Sequence, residues 1–124
     1  MPPNPLLRLR KLCLALPEAT EVEAWGAPTF RVRKKLFAMY ANKNDHHGGG
    51  RNSAWIKATP ANQSYMLDAA PDRFFKPAYV GPSGWIGVWL DSPCDWKELA
   101  ALLQDGYRLA APKKLAALLL LHGA

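Results

Sequence analysis

The amino-acid sequence predicts one α+β domain, in which a twisted antiparallel sheet is flanked by an N-terminal helix and by C-terminal helices. Both ends of the chain carry apolar residues at helical spacing, whereas the middle carries short runs with the two-residue period of strands. Two pairs of these runs are joined by turns as β-hairpins, whose strands are antiparallel. With 124 residues, 49% of them hydrophobic, the chain has the size of a single domain over residues 1–124. It can bury a core without disulfides or structural metals.

The N-terminal helix is predicted to begin at Asn4, whose side chain can cap it, with Pro5 at the first helical position. An apolar stripe follows, made of Leu6, Leu9, Leu12, Cys13 and Leu16. Pro17 is expected to end the helix, because proline lacks the backbone donor that a helix requires. Since Cys13 lies on the stripe, we interpret it as a buried apolar residue and not as a nucleophile.

An edge strand and a hairpin are predicted after this helix. Residues 21–25 alternate polar and apolar side chains, as a half-buried edge strand does. Residues 29–32 and 36–41 are predicted to pair as a hairpin, here called the basic wing, whose tip carries Arg33, Lys34 and Lys35. Its inward positions are expected to be Phe30, Val32, Phe37 and Met39. Arg31 and Arg33 are expected on the solvent side of the first strand.

Residues 42–52 show no periodicity and contain three consecutive glycines, so a loop is expected there. Within it, His46 and His47 do not predict a metal site, because adjacent residues rarely aim at one ion and no second ligand cluster completes a shell. A strand at 53–58 follows. A helix is then predicted to begin at Thr59, with Pro60 at its first position, and to finish near residue 71.

Residues 74–91 are predicted to form a second hairpin around a turn at 79–84 that contains glycine and proline. The side chains that follow alternate between two faces, with Trp85, Gly87 and Trp89 on one and Ile86, Val88 and Leu90 on the other. Both faces are apolar, so this strand is expected inside the sheet. Asp95 and Glu98 then resemble a helix capping box. Helical spacing continues to Pro112, and a short last helix is predicted over 113–121.

Three segments resemble a known family in the same order along the chain. They are L-R-K-L-C-L-A-L-P-E-A-T-E at 9–21, F-R-V-R-K-K-L-F-A-M at 30–39 and F-F-K-P-A-Y-V-G-P-S-G-W-I-G-V-W-L-D at 74–91. They resemble the MmcQ/YjbR family of small bacterial proteins. The resemblance implies a frataxin-like α+β fold, described as a double wing, and a DNA-binding role. The sequence departs from the family at 33–35, where relatives carry a glycine-rich turn, and in its individual loop at 42–52.

The net charge of +6 is localised. Residues 58–124 hold six basic and six acidic residues, so the whole excess lies in residues 1–57. A local basic patch suits a polyanion, through phosphate contacts and counterion release. The candidates for contact with DNA are Arg31, Arg33, Lys34, Lys35, Lys43, Arg51, Lys57 and, from the second hairpin, Lys76. The alternative interpretation of this patch is the solvated surface of a basic protein.

No catalytic pattern stands out, so the sequence predicts a protein without enzymatic activity, cofactor or metal. Nucleophile–base pairs, metal shells and phosphate-binding glycine loops are all missing from its motifs. The frataxin-like fold raises the question of iron, but the first helix carries Arg8, Arg10 and Lys11 in place of a carboxylate ridge. An alternative function is a small-molecule or protein-binding module that uses a recess formed by Lys76, Tyr79 and Trp85.

The sequence also gives expectations about compartment and assembly. It contains two cysteines and shows no export signal before Leu6, which favours a reduced cytoplasm. Its longest late apolar run, 115–121, is far shorter than the roughly 20 residues needed to span a bilayer. The leucines of that run either dock on the sheet or face a partner, so a monomer and a weak dimer both remain open.

Overall fold

The computed structural model describes residues 4–42, 50–91 and 94–121 and confirms the α+β fold. In chain order its helices and strands are α1 (Pro5–Leu14), β1 (Ala19–Ala24), β2 (Ala27–Val32), β3 (Lys35–Ala41), β4 (Ser53–Ile56), α2 (Pro60–Ala69), β5 (Phe74–Phe75), β6 (Ile86–Trp89), α3 (Trp96–Ala110) and α4 (Lys113–Leu121). The six strands form one sheet in the order β1-β2-β3-β4-β6-β5, and every neighbouring pair is antiparallel.

Three helices begin at the capping residues that the sequence predicts. Asn4 Oδ1 accepts a backbone N–H of α1 at 2.9 Å, and Thr59 Oγ1 accepts one of α2 at 3.2 Å. Asp95 Oδ1 accepts two backbone N–H groups of α3, each at 3.1 Å. These bonds satisfy donors that have no partner inside the helix. The Glu98 carboxylate accepts from Arg73 Nη1 at 2.6 Å, so it ties α3 to the chain just before β5.

One face of the sheet, here called the first face, is covered by α1, α3 and α4. The helices contribute Leu9, Cys13, Leu99, Leu103, Tyr107, Leu115 and Leu119 to its core, and the strands contribute Phe30, Val32, Phe37, Tyr40, Ile56, Ile86 and Val88. Tyr107 connects the layers, because its ring packs edge-on against Phe37 at 5.7 Å and its hydroxyl donates to the Pro17 carbonyl at 2.7 Å. The predicted role of Cys13 as a buried apolar residue is confirmed, and burial raises the pKa of its thiol.

The opposite face of the sheet, here called the second face, has a separate apolar cluster. Its buried members are Ala27, Met39, Ala41, Trp55 and Trp85, with Leu36, Phe75 and Val80 packed against them. None of the described helices α1 to α4 contributes a residue to this cluster. Strands and the β5–β6 connection therefore build the second face, and the helices build the first.

A β-bulge in β3 corrects one sequence expectation. Phe30 lies opposite Ala38, but Arg31 lies opposite Leu36, so Phe37 is an extra residue in β3. An extra residue reverses the alternation of side chains beyond it. Phe37 consequently packs in the first core, whereas Met39, which was expected on the same side, lies in the cluster of the second face.

The second predicted hairpin is confirmed, with shorter strands than expected. β5 pairs with β6, and their connection contains a 3₁₀ turn at Gly81–Ser83. The buried side chain of Gln63 on α2 holds this connection, because its Nε2 donates to the carbonyls of Gly81 at 2.8 Å and Trp85 at 2.6 Å. β6 lies between β4 and β5, inside the sheet as predicted, and β1 is an edge strand.

Candidate nucleic-acid interface

The tip of the basic wing is a two-residue turn. Val32 pairs with Lys35, and the two residues between them have positive φ, 50° at Arg33 and 68° at Lys34. This backbone is typical of the tight turns whose twist matches that of a β-hairpin. All three bases of the tip are exposed. The predicted hairpin with bases at its tip is therefore present, and two of those bases sit on the turn itself.

Two more predicted bases lie at the same end of the sheet as this turn. Ile56 is opposite both Ala38 and Ile86, so the next residue, Lys57, extends β4 toward the tip, and its N–H donates to the Phe37 carbonyl at 2.9 Å. Lys76 likewise extends β5 past Phe75, which pairs with Gly87. We call this group the basic end of the sheet; it consists of Arg33, Lys34, Lys35, Lys57 and Lys76.

One cation of the basic end already has a partner. The guanidinium of Arg33 donates two hydrogen bonds to the carboxylate of Glu18, at 2.7 and 3.0 Å. This bond lowers the pKa of Glu18 and raises the pKa of Arg33. Both side chains are about half exposed, so water screens the pair and its contribution to stability is small. The pair connects the wing tip to the segment between α1 and β1.

The second face carries three cations placed over tryptophan rings. The guanidinium of Arg31 lies 6.0 Å from the Trp25 ring centre, and its Nε donates to Thr29 Oγ1 at 3.3 Å. The other two pairs are Arg51 over Trp89, at 4.1 Å, and the Lys57 ammonium near Trp85, at 5.9 Å. Such pairs are favourable because the face of the ring is electronegative. Arg31 is thus half-buried on this face and does not point freely into solvent.

The eight predicted contact residues do not form one row along the wing. Five of them make up the basic end, and Arg31 lies on the second face. Arg51 precedes Ser53, which pairs with Ala41, so it lies at the other end of the sheet from the wing tip. Lys43 falls outside the described residues, as do His46 and His47 of the predicted loop and His122.

Comparison with known proteins identifies the family. The model of the YjbR family matches residues 14–109. The chain belongs to the YjbR family. A search of curated proteins finds no match.

Two solved structures resemble this YjbR domain. Deinococcus radiodurans protein DR2400, which has the domain DUF419, is 21% identical with a TM-score of 0.71, over 86% of this chain and 80% of that one. A Pseudomonas syringae protein is 17% identical with a TM-score of 0.59, over 76% of this chain and 88% of that one. At these identities the likeness concerns the fold, which agrees with the family.

In this YjbR domain the three residues of the predicted recess, Lys76, Tyr79 and Trp85, have different environments. Trp85 is 5% exposed and belongs to the cluster of the second face, and the cation near its ring is Lys57. The stem of Lys76 packs against Gly81, where an added Cβ would lie 2.7 Å from Lys76 Cγ. Tyr79 is 78% exposed. Trp85 is therefore placed to support the sheet, and the exposed aromatic of the three is Tyr79.

Sequence reasoning missed Trp25. Its ring is 69% exposed, in the turn between β1 and β2, and its backbone has a φ of 55°. The signal was present, because the indole directly precedes Gly26 in a tight turn, where a large side chain cannot reach the core. The described ranges contain no group of three His, Cys, Asp or Glu side chains placed to hold a metal ion. Each described helix is too short or too polar to span a bilayer.

Proposed function

We propose that this YjbR protein binds nucleic acid, without enzymatic activity, through phosphate contacts from the basic end of the sheet. The observation that carries the proposal is convergence: bases from three separate segments, namely the wing tip, the end of β4 and the end of β5, lie at one end of one sheet. When cations grouped in this way contact phosphates, counterions condensed on the nucleic acid are released, which favours binding at low and moderate salt.

The backbone around these bases supports the same role. Lys34 lies on a tight turn and Lys35 opens β3, so both project from a hydrogen-bonded hairpin. The stem of Lys76 packs on Gly81, and Lys57 is half-buried beside Trp85. Cations whose stems are already ordered lose less side-chain freedom when they bind. The basic end is therefore better prepared for phosphates than lysines on a mobile segment.

Fluorescence anisotropy of a labelled duplex, measured over a series of salt concentrations, tests the proposal. The double variant Lys34→Ala/Lys35→Ala should weaken binding to all sequences alike. It should also flatten the log–log salt slope by about 0.9 for each phosphate that the variant no longer neutralises.

The control is Lys11→Ala/Lys97→Ala. It removes the same amount of charge from two exposed lysines of α1 and α3, which do not belong to the basic end. Weaker binding in the wing variant alone supports the proposal. Equal weakening in both variants would indicate a diffuse effect of net charge, and no binding at low salt would refute nucleic-acid binding.

A further inference from the structure

Tyr79, in the connection between β5 and β6, has a rare backbone conformation. Its φ is 63°, in the left-handed region that residues with a Cβ disfavour. The N–H of Val80 donates to the carbonyl of Ala78 at 2.6 Å, so Tyr79 is the central residue of a three-residue γ-turn. With a positive φ, this is the rare and strained form of that turn. Glycine would fit here without strain, yet the position carries a bulky aromatic residue.

The ring that this backbone carries lies at the surface. Tyr79 is 78% exposed, and Ala78 beside it is exposed as well. A ring this exposed buries little apolar area, so packing does not account for the strain. Strained backbone of this kind persists where the surrounding structure fixes it, and it is concentrated at binding sites. The conformation of Tyr79 therefore indicates a ligand for its ring.

Hydrogen bonds and packing order the segment 76–81, here called the tyrosine turn. The N–H of Gly81 donates to the carbonyl of Pro77 at 3.0 Å, and the carbonyl of Gly81 accepts from the buried Gln63 amide at 2.8 Å. Pro77 is itself buried. An aromatic ring on an ordered backbone loses less conformational freedom when it binds, so the tyrosine turn is prepared for a ligand.

The tyrosine turn also carries a cation of the basic end. Lys76 is exposed, and its stem packs against Gly81. Lys57 lies at the same end of the sheet, after β4. Two strand intervals of about 4.8 Å separate β4 from β5, so the backbones beneath the two lysines lie roughly 10 Å apart. By contrast, the exposed Tyr65 lies on α2, none of whose ten residues is a lysine or an arginine.

We propose that Tyr79 stacks on an unpaired base of single-stranded nucleic acid, while Lys76 and Lys57 contact neighbouring phosphates. The inference rests on the proposed function and adds the form of the ligand. Exposed aromatic rings beside cations are typical of proteins that bind single strands, because unpaired bases can stack on the ring while the backbone meets the charges. Inside a duplex both faces of each base are covered by its neighbours, so Tyr79 has no base to stack on there.

Stacking at Tyr79 and charge at the basic end favour different ligands. Duplex DNA has the higher charge density, so lysines alone would favour a duplex over a single strand. A base stacked on Tyr79 adds affinity for the single strand only. The tyrosine turn should therefore shift the preference of the basic end toward single strands.

The test measures the anisotropy of labelled oligothymidylate and of a labelled duplex of the same length. Tyr79→Gly should weaken oligothymidylate binding by about 5-fold to 150-fold, which corresponds to the loss of one base stack. Duplex affinity should not change. Tyr79→Phe keeps the ring and should retain most of the affinity for oligothymidylate.

The matched control is Tyr65→Ala, which removes a tyrosine that is 74% exposed. Tyr65 lies about 200° around α2 from Gln63, whose side chain faces the β5–β6 connection, so its ring points away from the tyrosine turn. Oligothymidylate affinity should be unchanged in this variant. Equal weakening in Tyr65→Ala and Tyr79→Gly would overturn the inference.

Two further measurements distinguish stacking from other roles of Tyr79. Stacking releases no ions, so Tyr79→Gly should leave the log–log salt slope for oligothymidylate unchanged, whereas Lys76→Ala should flatten it by about 0.7. Glycine adopts a positive φ freely, so Tyr79→Gly should unfold in urea at the parent midpoint or above it. If the midpoint falls instead, Tyr79→Leu decides, because leucine keeps an apolar side chain without the aromatic plane. Unchanged oligothymidylate affinity in Tyr79→Leu would overturn the inference.

The outcomes separate this inference from the proposed function. If oligothymidylate binding is lost in Lys34→Ala/Lys35→Ala but unchanged in Tyr79→Gly, the stacking site is refuted and binding at the basic end stands. If Tyr79→Gly weakens oligothymidylate and duplex binding alike, the ring does not select single strands and the inference is refuted. If neither ligand binds to the parent protein at low salt, both proposals are refuted.

Discussion

The two faces of one sheet differ in what covers them. Alternate residues of the same strands lie on opposite faces. Those on the first face belong to a core that helices cover, and those on the second belong to a cluster that contains no residue of the described helices. The first face is aliphatic and aromatic throughout, with cysteine and leucines of α1 and α3 buried completely or nearly so. The second combines small residues, tryptophans and cations.

This difference indicates a division of labour between side chains that are neighbours in sequence. Thr29 and Phe30, for example, are adjacent, yet one supports an arginine on the second face and the other is buried in the core. Substitutions on the first face should therefore act on stability, whereas substitutions of the cations on the second face should act mainly on binding. Single substitutions on each face can break or sharpen that division.

The largest effect is expected for Leu103→Ala on the first face. Leu103 is 1% exposed among residues of α3 and the sheet, so its truncation should leave a cavity and lower the free energy of unfolding by about 2 to 5 kcal/mol. Leu7→Ala is the control, because Leu7 is 58% exposed on α1 and its truncation should change stability by no more than about 0.5 kcal/mol. Urea denaturation measures both. Similar destabilisation in the two variants would contradict the assignment of the first face.

Gly87→Ala should disturb the second face next most. An added Cβ would lie within 2.5 Å of three ring atoms of Phe75, so the ring must move and the stack with Trp89 must open. Overpacking of this kind typically costs about 1 to 3 kcal/mol. The near-ultraviolet circular dichroism of the tryptophans should change as well. Adding Phe75→Leu should recover part of the stability; a purely additive double variant would show that the ring is not the cause.

Tyr107→Phe should cost less. The substitution keeps the buried ring against Phe37 but removes the hydrogen bond to the Pro17 carbonyl, a bond worth about 0.5 to 1.5 kcal/mol. Thermal unfolding measures the change, and Tyr65→Phe on exposed α2 is the control. A stability equal to that of the parent protein would show that water replaces the missing donor at Pro17.

The smallest effect on stability is expected for Glu18→Gln. The substitution releases Arg33, so phosphate binding should strengthen and the salt slope should steepen by up to about 0.9. Because the pKa of Glu18 is lowered in the folded state, the stabilisation from this pair is present above the usual glutamate value, near 4.3. It disappears as the pH falls through the lower folded value. Any stability difference between the variant and the parent should therefore vanish in acid, and a difference that grows there would contradict the pairing.

Sequence patterns that involve only a few neighbouring residues predicted much of the fold. The caps at Asn4, Thr59 and Asp95 depend on a side chain and the few residues after it, so the sequence places them correctly. The bulge at Phe37 depends on how β2 and β3 meet, and strict alternation placed Met39 on the wrong face. Both faces of the sheet are apolar, so periodicity indicated a buried strand without indicating which face the helices cover.

The candidate site was harder to predict because its contacts are distant in sequence. Arg33 bonds Glu18, which is 15 residues away in sequence. Lys57 and Lys76 lie at the same end of the sheet as the wing tip only because of the order and direction of the strands. The bases themselves were identified from charge alone. Trp25 was missed although its signal is local, because it directly precedes Gly26 in the turn between β1 and β2.

The edges of the sheet bear on how the protein behaves when concentrated. An exposed edge strand offers unpaired N–H and C=O groups to a second molecule, and this is how many β proteins aggregate. Here one edge, β5, is only two residues long. The other, β1, carries Glu21, which is bound to Arg10 of α1, and the exposed Glu23. A short edge and an acidic edge both resist strand addition, so intermolecular β-sheet should be rare even though tryptophans and half-buried apolar side chains lie close to the surface.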